Sequence, residues 1–159
     1  MTVPDRCATF WRAFARTRSV DPTPRFFEAF HFDDNASDAD ALVALVLAGR
    51  KRATASLLWT YEATGKRVPA PGDLSIVTDF AGTPLCVIET DRVDVVPLDA
   101  VDEAFAADEG EGNGSLAFWR RVHDAYFARE CQRIGRAPRP DMPVVCERFA
   151  IVFPDRPVL

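Results

Sequence analysis

Apolar positions near the N-terminus recur with the spacing of short helices. Large apolar residues follow this spacing over residues 5–17 and again over 23–31, and two prolines separate the runs. We predict two short helices here. Residues 1–35 are therefore expected to form a helical extension that packs on a single globular unit over residues 36–159.

The next apolar run predicts a longer helix that ends at Leu47. Ser37 or Asp38 can cap its first turn, and Gly49 ends it. The stretch that follows is short, basic and then small and polar. A further helical turn is expected over Leu57–Thr64, where it carries two aromatic side chains.

Two more helices are predicted in the second half of the chain. Asp99 caps one that runs to about Ala107, and Ser115 caps a long amphipathic helix over Leu116–Ile134. The segment between them, residues 109–114, is acidic and rich in glycine. We expect this segment to be a loop.

Strand-like runs occupy much of the remaining sequence. We predict strands over Leu74–Phe80, Leu85–Glu89, Asp91–Val96 and Val144–Phe153. Strands follow one another through short hairpins, without the regular strand–helix alternation of a parallel sheet. The predicted fold class is therefore α+β, with a small, mainly antiparallel β-barrel flanked by helices.

Composition limits the class of protein and the cellular compartment that we expect. The 159 residues are 48% hydrophobic and 27% charged, which is ordinary for a globular domain. The four cysteines lie far apart, and no apolar run approaches the roughly 18 residues of a spanning helix. We expect a cytoplasmic protein with reduced thiols and no membrane association. Since His31 and His123 are distant and lack a cysteine at ligand spacing, neither a metal site nor another cofactor is expected.

Charge draws attention to one lysine. The formal net charge of −5 argues against avid, sequence-independent binding to duplex DNA. Basic residues nevertheless cluster at 50–52, and only two of the 19 basic residues are lysines, one of them Lys51. Arginine keeps its proton in a protein, whereas a partly buried lysine can lose it. Lys51 is therefore a candidate for chemistry.

The segment around this lysine matches a family pattern. Gly49, Lys51 and Thr54 fit G-x-K-x-x-T-x-R, and Ser56 stands where the pattern has arginine. A P-G-D turn, a hairpin and the acidic loop follow in the family's order. Over about residues 40–153 the chain resembles the ASCH family, relatives of the PUA RNA-binding domains, and its acidic loop is similar to that of the longer bacterial members.

The resemblance implies a PUA-like fold with a cleft between the motif and the acidic loop. In short bacterial members that hydrolyse N4-acetylcytidine, the motif lysine and threonine work with a glutamate that follows the hairpin. Carried over, Thr54 would attack the acyl carbon, Lys51 would accept its proton and Glu109 would act as the acid. Burial is expected to lower the pKa of Lys51. The chain must also be irregular between Gly49 and Thr54, because residues 51 and 54 of a regular strand point to opposite faces.

Further side chains are predicted to contact the ligand, which is expected to be RNA or a nucleoside bound by a monomer or homodimer. They are Arg50, Arg52, Ser56, Tyr61, Glu111, Ser115, Trp119 and His123. Two other functions stay open. One is a ribonuclease that uses Lys51 and Ser115, and the other is a non-catalytic RNA-binding module whose arginines hold phosphate while Trp119 or Tyr61 stacks a base. A small-molecule sensor or a partner-binding protein is a third class.

Overall fold

The computed structural model describes residues 2–155. Its helices are α1 (Ala8–Ala15), α2 (Ala36–Leu47), α3 (Leu58–Thr64), α4 (Glu103–Glu109) and α5 (Leu116–Ile134). Its strands are β1 (Phe26–Phe30), β2 (Ala53–Leu57), β3 (Leu74–Thr78), β4 (Pro84–Pro97) and β5 (Pro143–Phe153). Single 3-10 turns cover Asp5–Cys7, Thr23–Arg25 and Leu98–Ala100. None of the helices in this part of the chain is long and apolar enough to cross a membrane.

Across residues 2–155 the five strands form one sheet in the order β1-β3-β4-β5-β2. β3, β4, β5 and β2 pair antiparallel, and β1 alone runs parallel to its neighbour β3. The predicted α+β class with a mainly antiparallel sheet and flanking helices is confirmed. The two strands predicted on either side of Thr90 are one continuous strand, β4, whose register shifts between Thr90 and Arg92.

Three apolar clusters attach the helices to this sheet. α1 packs on β1, β3 and β4, and α2 packs on β3, β4 and β5. α3, α4 and α5 pack on one face of β2 and β5. In β2 the alternation of strand side chains buries Ala53, Ala55 and Leu57 in this third cluster, so Thr54 and Ser56 point to the opposite face.

Hydrogen bonds at the helix ends explain which of these ends could be predicted from the sequence. The Ser115 hydroxyl accepts a hydrogen bond from the amide of Phe118, and α5 has the predicted bounds. Two other caps were misplaced. Asn35 rather than Ser37 or Asp38 caps α2, and Asp102 rather than Asp99 caps α4, because residues 98–100 form a separate 3-10 turn.

The helix predicted over residues 23–31 is wrong. Residues 26–30 form β1, whose positions Phe26 and Phe30 lie opposite Leu74 and Val77 of β3. The apolar spacing within this segment fits a helix, but aromatic residues also favour strands, and pairing with a distant strand decides between them. The N-terminal extension therefore contributes a strand to the sheet as well as α1.

Candidate active site

Lys51 lies in an irregular connection between α2 and β2. Gly49 adopts a positive φ of 77° at the end of α2, and the amides of Arg50 and Lys51 both donate to the carbonyl of Leu45. The Lys51 side chain turns inward and is only 2% exposed. The irregular backbone that was predicted between Gly49 and Thr54 is confirmed, since β2 begins at Ala53.

Three oxygen atoms surround the Lys51 ammonium group. Its Nζ donates to the carbonyl of Ala53 at 2.8 Å, to Oε2 of Glu109 at 2.8 Å and to Oε1 of Glu111 at 3.0 Å. Three donors on one small cation thus meet three acceptors. This contact joins the motif to a segment 58 residues further along the chain.

Glu109 is the last residue of α4 and is buried, with 1% of its surface exposed. Its Oε1 accepts a hydrogen bond from the indole N–H of Trp119 at 3.2 Å and lies 3.3 Å from Nε2 of His123. The helix end fits closely against the motif, because a Cβ on Gly110 would lie 2.1 Å from the Arg50 carbonyl oxygen. Glycine at 110, at a φ of 66°, permits this approach.

The charges of neighbouring side chains determine the protonation states of Lys51 and Glu109. Burial opposes the charged form of Lys51, but the carboxylates of Glu109 and Glu111 outweigh it and raise the lysine pKa. Burial would raise the pKa of Glu109, yet Lys51 and His123 hold it well below its usual range. The predicted lowering of the Lys51 pKa is therefore wrong, and the lowered pKa of Glu109 favours its carboxylate form over the acid role predicted for it. The prediction considered the effect of burial on the Lys51 pKa but not that of the two carboxylates paired with its ammonium group.

The pKa values of Glu111 and His123 are raised, whereas that of Glu109 is lowered. Burial, reinforced by the Glu109 carboxylate, raises the pKa of Glu111, although Lys51 opposes this. Burial would lower the pKa of His123, but Glu109 outweighs it and the pKa is raised.

A cavity of about 590 Å³ opens beside this group, within the roughly 300–1,000 Å³ of small-molecule sites. Lys51, Thr54 and Glu109 all line it. Thr54 is half-buried and lies opposite Glu147 in the β2–β5 register. The amine, the hydroxyl and the carboxylate named by the sequence pattern thus face one space.

The other predicted ligand contacts divide into two sets. Among residues 2–155, Ser56, Tyr61, Glu111 and His123 also line the cavity, whereas Arg50, Arg52, Ser115 and Trp119 do not. The two arginines are exposed, and Arg52 pairs with Asp108 at 3.2 Å. Trp119 is buried and stacks on the His123 ring at a centroid distance of 4.0 Å. It supports the site from behind rather than offering a free face to a base.

Several cavity residues were not predicted from the sequence. Phe32 lies with its ring centroid 5.1 Å from the Lys51 ammonium, and Glu28, Lys66 and Glu147 also line the cavity. Glu147 gave the one usable signal, since it is an acid within the apolar run of β5. The others depend on long-range pairing that no local pattern reports.

One group in the described part of the chain has the geometry of a metal site. Glu109, Glu111 and His123 each place a nitrogen or oxygen atom within 4.8 Å of the others. The Lys51 ammonium bonds both carboxylates. It therefore supplies the positive charge that a metal ion would bring to this group.

Comparisons with known proteins identify the family and the fold. The family model of the ASCH domain matches residues 28–153. The solved structure of an ASCH domain from Lactobacillus crispatus JV V101 is similar, with 36% identity over 94% of this chain and 96% of that one and a TM-score of 0.88. A protein from Enterococcus faecalis V583 is 30% identical over 92% and 88% of the two chains, with a TM-score of 0.81. No curated protein matches the chain.

Proposed function

Because the chain belongs to the ASCH-domain family, whose fold is PUA-like, we propose that its cavity binds a modified nucleoside or RNA residue and hydrolyses the amide of an N4-acylated cytidine. The convergence of Lys51, Thr54 and Glu109 on one cavity carries the proposal. A hydroxyl, an amine and a carboxylate are the groups that acyl transfer to a side chain requires.

The lining suits a flat, partly polar ring. Phe32, Phe118 and Tyr126 contribute aromatic surface, and Tyr61 adds a phenol. Aromatic faces stack on any nucleobase, so they support binding without selecting one base. The polar groups of β2 would then decide how the ring is oriented.

The proposed reaction begins with Thr54. Because the surrounding carboxylates raise the pKa of Lys51, the amine can act as a base only after it passes a proton to Glu111, whose Oε1 lies 3.0 Å from its Nζ. The neutral amine then takes the Thr54 proton while the hydroxyl oxygen bonds to the acyl carbon. Entry of a ligand that excludes water from Glu111 favours this transfer, because burial favours the neutral forms of both groups.

Collapse of the tetrahedral intermediate breaks the bond from the acyl carbon to N4. The Lys51 ammonium gives its proton to the leaving nitrogen, and water then hydrolyses the threonine ester by the same steps. Glu109 orients Lys51 in this scheme instead of acting as the acid. Its ionised, buried carboxylate and its contacts with Trp119 and His123 fit an orienting role.

The test is release of cytidine from N4-acetylcytidine, followed by chromatography. We expect turnover by the wild type and a loss of roughly 100-fold or more in Thr54→Val, which keeps the shape of the side chain but lacks the nucleophile. Glu103→Gln is the matched control, because Glu103 is an exposed residue of α4 outside the cavity lining. It should retain full activity.

Two results would contradict the proposal. A wild type that releases no cytidine would rule out this substrate. Full activity in Thr54→Val, with the variant folded as judged by circular dichroism, would rule out Thr54 as the nucleophile.

A further inference from the structure

Glu147 of β5 lies directly opposite the proposed nucleophile on the neighbouring strand. In the antiparallel β2–β5 pair, Thr54 pairs with Glu147, and Ala55 pairs with Cys146. Ala55 and Cys146 belong to the apolar cluster on one face of these strands. Because side chains alternate along a strand, those of Thr54 and Glu147 share the other face, where both line the cavity. Directly opposed Cβ atoms are about 4.5–5.5 Å apart, a distance that a glutamate carboxyl group can span to reach a threonine hydroxyl.

A buried hydroxyl holds the Glu147 carboxyl group in place. The Thr90 side chain, whose residue is 1% exposed, donates to Oε1 of Glu147 at 2.8 Å. A carboxylate has two acceptor oxygens, so Oε2 keeps the capacity to accept a proton. A hydroxyl opposite a base that a third group orients is the arrangement of an activated nucleophile.

Titratable groups from other elements also face this carboxyl group. They are Glu28 of β1, Asp73 before β3, Tyr61 of α3 and Lys66 after it. Burial is the main cause that raises the pKa of Glu147 to about 7, and the two acids add to it, whereas the Thr90 hydrogen bond and the Lys66 charge oppose it. Tyr61 keeps its proton at neutral pH, because burial raises its pKa to about 12. A base with a pKa near the working pH suits proton transfer.

Glu147 and Lys51 differ in the state from which each can accept a proton. The Lys51 ammonium donates to three oxygen atoms, and two carboxylates raise its pKa. It therefore has to pass a proton to Glu111 before it can take one. An ionised Glu147 accepts a proton directly. The site thus offers the Thr54 hydroxyl a second proton acceptor.

We propose that Glu147 is a second catalytic base of this site, whose carboxylate takes the Thr54 proton as the hydroxyl oxygen bonds to an acyl carbon. This inference rests on the proposed function, because it needs Thr54 as the nucleophile. The electron pair of the O–H bond forms the new C–O bond, and a carbonyl pair moves to the carbonyl oxygen. That pair returns as the bond to N4 breaks, and the protonated Glu147 gives its proton to the leaving nitrogen. Lys51 stays an ammonium on this route.

The test uses p-nitrophenyl acetate, an activated ester that can acylate a threonine without nucleoside binding. The measured quantity is the Thr54-dependent rate, which is the release of p-nitrophenolate by a protein minus the release by the same protein carrying Thr54→Val. We expect this rate to rise between pH 5 and pH 8 with a midpoint near pH 7, as Glu147 ionises. The p-nitrophenolate leaves without a proton, and solvent then takes the proton from Glu147.

Three variants separate this role from a structural one. Glu147→Gln should lower the Thr54-dependent rate roughly 100-fold at pH 8 and less than roughly tenfold at pH 5, where the wild-type carboxyl group is protonated as well. Glu147→Asp keeps a carboxylate on a shorter side chain and should recover part of the rise with pH. Glu103→Gln alters an exposed acid outside the cavity lining and should behave as the wild type. Urea unfolding should show no loss of stability in Glu147→Gln, because burial disfavours the carboxylate that it removes.

The outcomes distinguish this inference from the proposed function. A wild type without a Thr54-dependent rate, or a Glu147→Gln variant that keeps the rise with pH, would overturn the inference. If that variant also releases cytidine from N4-acetylcytidine at the wild-type rate, the proposed function stands without Glu147. Ester cleavage that depends on Glu147, in a protein that releases no cytidine, would retain the inference and refute the hydrolysis of that substrate.

Discussion

Replacing Lys51 by methionine tests the buried charge group directly. Methionine keeps most of the length of the side chain and removes the ammonium that bonds three oxygen atoms. Glu109 then remains as a carboxylate whose side chain is 1% exposed, with a tryptophan N–H and a histidine as its other contacts. The variant therefore measures the cost of removing the ammonium partner of a buried carboxylate that keeps His123 at 3.3 Å.

The expected magnitude follows from that burial. Breaking a buried ion pair by removing one partner costs about 3–5 kcal/mol. For a domain of this size, each kcal/mol corresponds to about 2–4 °C, so the melting temperature should fall by about 6–20 °C. Urea unfolding at pH 7 measures the free-energy change.

Two companion variants make the result decisive. Lys51→Met combined with Glu109→Gln removes the stranded charge and should recover most of the lost stability. Arg52→Ala removes an exposed ion pair with Asp108 and should change stability by less than about 1 kcal/mol. A loss below about 1 kcal/mol in Lys51→Met, or a double variant no more stable than the single one, would refute the reasoning.

Three further predictions concern the same region and can be checked by chemical denaturation. Glu147→Gln should stabilise the protein by about 3 kcal/mol at pH 8 and little at pH 4. The reason is that the pKa of Glu147 rises from 4.5 to about 7 on folding, so the stability of the wild type falls between these two pKa values as the pH is raised. Equal effects of the substitution at pH 4 and pH 8 would contradict this. Gly110→Ala should cost about 3 kcal/mol or more, since its Cβ would lie 2.1 Å from a backbone oxygen of the motif, whereas Gly114→Ala meets open space and should cost about 1 kcal/mol. Similar losses would show that steric contact is unimportant. Trp119→Phe removes the N–H donor to Glu109 and should cost about 1.5–3 kcal/mol, and a change below about 0.5 kcal/mol would contradict the buried hydrogen bond.

Features that depend on neighbouring residues were predictable from the sequence. The cap at Ser115 and the glycine after Ile134 define α5 within one segment, because a hydroxyl and a left-handed glycine satisfy the helix ends locally. The residues 26–30 show the opposite case. Their own pattern fits a helix, and only the distant β3 makes them a strand.

The same distinction between local and long-range determinants applies to the candidate site. The resemblance identified Lys51 and Thr54 through the motif and Glu109 through its place after the hairpin, so three of the cavity residues could be named. Their protonation could not, because an acidic, glycine-rich segment resembles a solvated loop. Glu109 is buried, and its partner Lys51 lies 58 residues earlier in the chain.

The pairing also explains why lysine occupies this position in a chain that otherwise favours arginine. Both lysines, Lys51 and Lys66, line the cavity, and each is paired with a carboxylate there. A compact ammonium directs three donors to Ala53, Glu109 and Glu111, whereas a planar guanidinium is larger and cannot give up its proton. The ammonium group that holds α4 against the motif is thus the group that, in the proposed reaction, must first pass a proton to Glu111. Stability and the proposed chemistry therefore depend on the same proton.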